Sequence, residues 1–237
     1  MTSHLKHHSA HPVAMETLPT LGVGRYFLAD GSPCTLPFSR AEFDRAQRAV
    51  QQCLGTFHFR TGDQVLVLSL FDECCHFGPI EHALNPFGLV LLSADASFYD
   101  AGRTESCLRR FAVTAVIGID GEVLNGLEAN GHDVGQLLGD KVVWARPDAY
   151  LRLVELQGFQ LRRWFELGPA MAMECVAAAG AHVDRLEWLV EDVDGELVLT
   201  SRLPRAVTFD RYPTGIAGRV EYGTCSCGSA DPRVFLR

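Results

Sequence analysis

The chain has no apolar run near the roughly 18 residues that a membrane-spanning helix needs, and no block or stripe of lysine and arginine. The first absence argues against a membrane-embedded protein. The second, with a formal net charge of −8, makes nucleic acid and anionic membrane surfaces poor partners. The N-terminus, MTSHLKHHSAHPVAMETLPT, lacks the apolar centre of a secretory signal. Internal repeats and low-complexity segments are missing too. Nor do the eight cysteines read as a disulfide framework. Cys34, Cys53, Cys74, Cys75, Cys107, Cys175, Cys225 and Cys227 are scattered through apolar, strand-like contexts. A cytoplasmic protein with reduced thiols is the expectation.

What is present describes an ordinary globular protein: 237 residues, 47% hydrophobic and 21% charged, enough for a substantial core and one or two domains. Residues 1–24 read as a disordered tail, although four histidines in it (His4, His7, His8 and His11) leave a metal-collecting arm as the other reading.

The segment SRAEFDRAQRAVQQCLG (39–55) predicts a helix. Ser39 can cap it, Glu42 completes a capping box, Phe43, Ala46, Val50 and Leu54 share a face, and Gly55 can end it. The turn RTGD, with Asp63 as a turn residue, leads into QVLVLSL (64–70), a continuous apolar run suited to a central parallel strand. A helix through FGPIEHAL, a strand at GLVLLS (88–93), a helix over 98–110, and strands at FAVTAVIGID (111–120) and DKVVWA (140–145) follow. This alternation predicts an α/β fold, a parallel sheet with flanking helices, over residues 25–165. Beyond it, residues 166–237 read as a smaller antiparallel β subdomain, with VDGE (193–196) as a hairpin turn. His132, Trp144, Trp164 and Trp188 belong to no motif and read as packing or surface residues.

The pair Cys225 and Cys227, one residue apart near the end of the chain, admits three readings. It is a redox pair, half of a metal site, or two small buried side chains that fall close together.

The order of elements resembles the phenylacetate–CoA ligase branch of the adenylate-forming enzymes. GELVLTSRLPRAVTFDRYPTG is similar to that branch's GELVLT…RYRTGD, TCSCGSADPRV to its CPCGRT.PRI, and MECVAAAGAHVD to its ECxxxxGxHV. The likeness runs loosely over residues 25–235 and is tightest in the last 65. It implies a structural zinc ion held by Cys175, His182, Cys225 and Cys227. A Cys3His set leaves no coordination position for water, which suits a structural role. It also implies formation of an acyl-adenylate from ATP and a carboxylic acid, then transfer to coenzyme A, and a homodimer.

Against that pattern several parts depart. Where the family has a glycine- and hydroxyl-rich phosphate loop, this chain has LADGSPCTLP (28–37). The ribose-binding aspartate of RTGD corresponds to Ile216, and the adenine and magnesium motif is reduced to RRWFE, leaving Glu166. The family's C-terminal domain with its lysine has no counterpart in the sequence. The expectation is therefore an ATP-independent protein.

The acyl or aryl pocket of the family lies partly on the helix after the first parallel strand. Here that stretch, SLFDECCHFGPIEHALNPFG (69–88), concentrates Asp72, Glu73, Cys74, Cys75, His76, Glu81 and His82. A histidine beside a carboxylate can act as a general base, and a thiol beside a histidine as a nucleophile. The plainer reading makes the cysteines small core residues, with Glu73 and His76 capping and solvated. Glu166 either faces the same cleft or is a surface carboxylate. The expected function is an isomerisation, cyclisation, elimination or acyl transfer on a small acyl or aryl substrate, free or carrier-bound, with Glu73, His76 and His82 as acid–base groups and Cys74 or Cys75 as the thiol. Two alternatives stand beside it: a non-catalytic scaffold that binds an acyl ligand or carrier, and a residual ligase half that needs a partner.

Overall fold

In a computed structural model of the protein, residues 17–237 are described. The four N-terminal histidines fall outside them. Within the expected tail, Thr20–Gly24 are strand.

The described chain opens with a hairpin. Strand β1 (Thr20–Phe27) pairs antiparallel with β2 (Pro33–Ser39), a unit for which the sequence analysis gives no strand expectation. Helix α1 (Arg40–Leu54) follows with the predicted capping box: the Glu42 N–H donates to Ser39 Oγ at 3.3 Å, and the Ser39 N–H to Glu42 Oε2 at 2.8 Å. The alternating segment then runs β3 (Gln64–Leu68), α2 (Cys74–Leu84), β4 (Val90–Ala94), α3 (Ala101–Arg110) and β5 (Val113–Ile119). It continues through α4 (Gly121–Ala129), α5 (Val134–Leu138), β6 (Val142–Ala145), α6 (Pro147–Leu153) and β7 (Gln160–Leu167). The last six strands are β8 (Ala170–Glu174), β9 (Ala181–His182), β10 (Trp188–Val193), β11 (Glu196–Ser201), β12 (Tyr212–Glu221) and β13 (Arg233–Leu236).

Eleven strands form one mixed sheet in the order β10-β11-β12-β13-β9-β8-β7-β6-β5-β3-β4. The β7 strand joins its two parts, since it lies parallel to β6 and antiparallel to β8. The expected boundary at residues 165/166 thus falls inside a strand. The turn between β10 and β11 is the predicted one. Asp194 and Gly195 both have positive φ (53° and 85°), the conformation that two-residue hairpin turns require and that glycine adopts without strain.

Strand β3 is buried on both faces, as its unbroken apolar run requires. Val65 and Val67 pack under α1 and α2 with Phe77, Ile80 and Trp164, while Leu66 and Leu68 point to the opposite side, toward α3–α6, with Leu124 and Leu127. Trp144, Trp164 and Trp188 are all buried. Across 121–165 three helices appear where none was expected. Their signals are present in the sequence: Asp120 accepts from the Val123 N–H at 2.9 Å, Asp133 from the Gln136 N–H at 3.0 Å, and Pro147 stands in the first turn of α6. No helix among the described residues is long and apolar enough to cross a membrane.

Candidate functional site

Residues with chemistry to offer gather in three places. The first is the end of β8 and its neighbours. Cys175 follows β8, His182 ends β9, and Cys225 and Cys227 sit in the loop between β12 and β13. That loop folds back on itself, with the Cys225 N–H donating to Ser229 O and the Gly228 N–H to Cys225 O, both at 2.8 Å. The four ligand atoms lie within 4.8 Å of one another. Cys175 Sγ and Cys225 Sγ are 3.9 Å apart, and Cys227 Sγ and His182 Nε2 3.6 Å. Zn–S bonds of about 2.3 Å and Zn–N bonds of about 2.0 Å place tetrahedral ligand atoms roughly 3.5–3.8 Å apart, so both spacings suit one ion. Burial pushes the Cys175 thiol up to about 12 in the absence of a cation, and it lowers the His182 pKa, favouring the neutral imidazole that ligates metals. These four residues can hold a metal ion.

Three side chains that sequence reasoning passed over fix the segment carrying Cys175. Arg162 donates through Nε to Cys175 O (3.0 Å) and through Nη2 to Val176 O (3.0 Å). Trp144 Nε1 and Cys53 Sγ both donate to Glu174 O, at 2.8 and 3.3 Å. Outer contacts of this kind orient metal ligands, yet nothing in the sequence around Cys53 or Trp144 signals them, because the partners are backbone carbonyls about 30 and 120 residues away.

The second place is a cavity of about 80 Å³ between α1, α2 and β8. Phe43 and Ala46 line it from α1, Cys75 and His76 from α2, and Met171 and Met173 from β8. His76 is 3% exposed, and its Nε2 is buried without a hydrogen-bond partner. Of the other candidate residues in the 69–88 span, only Cys75 shares it; Asp72, Glu73, Cys74, Glu81 and His82 do not line it. Six positions along an α-helix rotate a side chain by about 600°, so His82 lies about 120° around the helix from His76. His82 is exposed, with its ring edge-on to Phe43 at 5.1 Å. Cys74 and Cys75 donate their thiols to hairpin carbonyls, Val23 O at 3.5 Å and Arg25 O at 3.4 Å, and burial raises the Cys74 thiol pKa. A thiol used as a donor is protonated, not a nucleophile.

The third place is the carboxyl ends of β3, β5, β6 and β7. Glu73 is 1% exposed and far from solvated. It accepts both Arg146 guanidinium N–H groups at 2.6 and 2.8 Å and the Leu70 N–H at 2.8 Å. Burial alone would raise its pKa, but the hydrogen bonds and charge of Arg146 leave it below the ordinary glutamate value. The hairpin is fastened over these strand ends: Arg25 pairs with Asp72 at 2.6 and 2.8 Å, and the Phe27 N–H donates to Glu166 Oε2 at 3.3 Å. Glu166 Oε1 is buried without a partner. Burial raises its pKa to about 7, with repulsion from Glu73 adding to it and Arg146 and Arg25 opposing it.

That shift has a sign that can be measured. With a folded pKa near 7 and an ordinary value of 4.5, Glu166 keeps its proton in the native state where the unfolded chain has lost it. Stability therefore falls as pH rises from about 4.5 to 7 and levels off above. Glu166→Gln is expected to raise the melting temperature by roughly 2–6 °C at pH 8 and to leave it unchanged near pH 4.5, as read by calorimetry at the two pH values. An equal effect at both would assign the gain to packing.

No family model matches the sequence, and no curated protein matches it. Solved structures do. Over 92% of this chain and 53% of the other, it superposes on 2-hydroxyisobutyryl-CoA ligase with a TM-score of 0.67 at 14% identity. It superposes on the acyl-CoA synthetase (AMP-forming)/AMP-acid ligase II-like protein from Dyadobacter fermentans with a TM-score of 0.55 at 13% identity, over 91% of this chain and 59% of that one. It matches the N-terminal subdomain of Klebsiella oxytoca NpsA with a TM-score of 0.55 at 10% identity, over 90% and 61%. The fold is that of the adenylate-forming acyl-CoA ligases. The chain spans about half the length of the first of these structures.

On the ligase fold, the segment the resemblance equates with a phosphate loop is the turn between β1 and β2. Three of its five amides are already used. The Leu28 N–H donates to Ser32 O and the Gly31 N–H to Leu28 O, each at 2.9 Å. The Ser32 N–H and Oγ–H both donate to Asp30 Oδ1, at 2.9 and 2.6 Å. Those bonds hold the exposed Asp30 carboxyl below its ordinary pKa, so a fixed negative charge stands at the turn. Ile216 packs against the core formed by β8–β13 and has no side-chain acceptor for a ribose hydroxyl.

Proposed function

We propose that this chain uses the ligase fold to handle a small acyl- or aryl-carboxylate-derived group without ATP. It does so as a tailoring enzyme that carries out an isomerisation, cyclisation, elimination or acyl transfer. The closed Leu28–Ser32 turn carries the reading: phosphate cradles need free N–H groups and no nearby carboxylate, and this turn has three of its five N–H groups (Leu28, Gly31 and Ser32) bonded within itself and carries Asp30. His76 is the acid–base group of choice, since its Nε2 is unpartnered beside the cavity. Glu73, bound by Arg146, and Glu166 act outside that cavity, at the strand ends.

The finer resemblance, to the phenylacetate–CoA ligase branch, is supported by the Cys175, His182, Cys225 and Cys227 cluster. We assign it a structural zinc ion, which would tie β8, β9 and the β12–β13 loop together; His182 also borders the cavity, but four protein ligands leave the ion no open position for chemistry there. All eight cysteines are free, in keeping with a reducing cytoplasm. The outer strand β4, with Val90 and Leu91 exposed, supports a homodimer, which light scattering tests.

Titration with Mg-ATP is expected to give no heat, and a panel of acyl and aryl acids with ATP no pyrophosphate. Robust pyrophosphate release would instead favour the residual ligase half. A second reading, a non-catalytic acyl or carrier-binding scaffold, is favoured by the capture of Glu73 and the exposure of His82, which leave His76 without a titratable partner in the span. His76→Ala separates the two. It abolishes turnover in the enzyme reading, and a wild-type protein inactive on every acyl substrate favours the scaffold.

A further inference from the structure

We infer that the cavity beside His76 takes a short, uncharged acyl group of two to four carbons, presented as a thioester or similar neutral derivative, and rejects both aryl rings and free carboxylates. This rests on the acyl-handling reading above and narrows it.

Size supports the first half. A cavity of about 80 Å³ matches two or three waters at about 30 Å³ each, whereas benzene occupies an apolar cavity of about 150 Å³. Phe43 sets that limit. Its ring stacks on Phe38 at 6.2 Å and meets His82 edge-on at 5.1 Å. On its α2 side it lies so close that a Cβ added at Gly78 would come within 2.9 Å of its Cε2. The ring cannot swing aside to admit a larger guest without displacing these neighbours.

Charge supports the second half. The cations near the cavity are each paired with a carboxylate. Arg205 binds Glu42 Oε1 at 2.7 Å and also pairs with Glu187, and Arg45 pairs with Glu187 and Pro204 O. Asp184 adds a further carboxyl to the lining. An incoming carboxylate finds cations already paired with two glutamates, with Arg205 Nε a buried guanidinium N–H of that pairing left without a partner, and burying a carboxylate that is not fully paired is costly. A neutral carbonyl needs only one hydrogen-bond donor, which His76 Nε2 can supply in one tautomer. The rest of the contact is apolar, from Ala46, Met171 and Met173.

The test is calorimetric titration at pH 8 with three probes: propionyl-N-acetylcysteamine, phenylacetyl-N-acetylcysteamine and sodium propionate. The expected order is propionyl thioester tightest, with propionate at least ~10-fold weaker and the phenylacetyl thioester at least ~10-fold weaker, the scale set by a few misfitted or unpaired groups. Phe43→Ala is expected to bind the phenylacetyl thioester at least ~10-fold more tightly than wild type does. Ala46→Phe, which fills the cavity, is expected to lose the propionyl thioester. Propionate binding as tightly as its thioester, wild type accepting the phenylacetyl probe, or silence from every probe with all three proteins would overturn the inference. ATP uptake in a parallel titration would sink the ATP-independent reading while leaving this size and charge selectivity standing, so the two failures are distinguishable.

Discussion

Cys225→Ser is expected to strip one zinc ion per chain and to lower the melting temperature by roughly 8–16 °C. Loss of a structural metal belongs to the few changes that exceed about 4 kcal/mol, and each kcal/mol moves the midpoint of a chain this size by about 2–4 °C. The four candidate ligands come from three segments: the end of β8, β9, and the β12–β13 loop. Between β8 and β9 the sheet pairing is only two residues long, as it is between β9 and β13. Hydrogen bonding alone holds these segments weakly, and an ion shared among them supplies the missing constraint. The check is metal analysis of untagged protein together with calorimetry. The variant is the essential control, because His4, His7, His8 and His11 can collect metal of their own, which Cys225→Ser would leave in place. The thiols must give up their protons to bind, so metal occupancy is expected to fall as the buffer is acidified. Metal-free wild type, or a Cys225→Ser protein that melts with wild type, would refute the assignment.

Arg205→Met is expected to destabilise the protein by about 3–5 kcal/mol, the cost of leaving buried charge without its partner. Arg205 is 4% exposed and bridges two buried carboxylates, Glu42 at the first turn of α1 and Glu187 before β10, while its guanidinium lies 4.1 Å over the Trp188 ring. Burial outweighs pairing on both sides, raising the Glu187 pKa and lowering that of Arg205. The network therefore stabilises less than its contacts suggest, but it cannot lose one member cheaply. Glu42 also accepts the Ala206 N–H at 2.8 Å, so α1 and the 202–211 loop loosen together. Adding Glu42→Gln to Arg205→Met is expected to recover part of the loss, since it removes one orphaned charge. Chemical denaturation measures both. A single-variant change below about 1 kcal/mol would mean that water replaces the guanidinium, as at an exposed pair.

Much of this was legible before any coordinates. Ser39 and Glu42 announce α1, the Val–Leu run at 64–70 announces a strand buried on both faces, and Asp194-Gly195 announces the hairpin turn. Each of these signals is local, residing in the covalent and rotational preferences of neighbouring residues. The metal-ligand set is legible as well, though it needed the likeness of two distant segments to another family. The helices at 121–153 are signalled only by their caps at Asp120, Asp133 and Pro147, local signals weaker than the apolar strand runs on either side.

The chain's residues by themselves determined the alternation of strands and helices and the α1 cap, while the four side chains that could converge on an ion came from the family resemblance. Only the tertiary structure decided which members of the 69–88 span share a site. Helical rotation turns His82 away from His76, Arg146 reaches across some 70 residues of sequence to occupy Glu73, and the β1–β2 hairpin takes up the two thiols and the Glu166 side chain. Spacing along a chain records which groups are near in number. Whether their lone pairs and protons are free depends on partners brought from elsewhere by packing, and no local pattern carries that information.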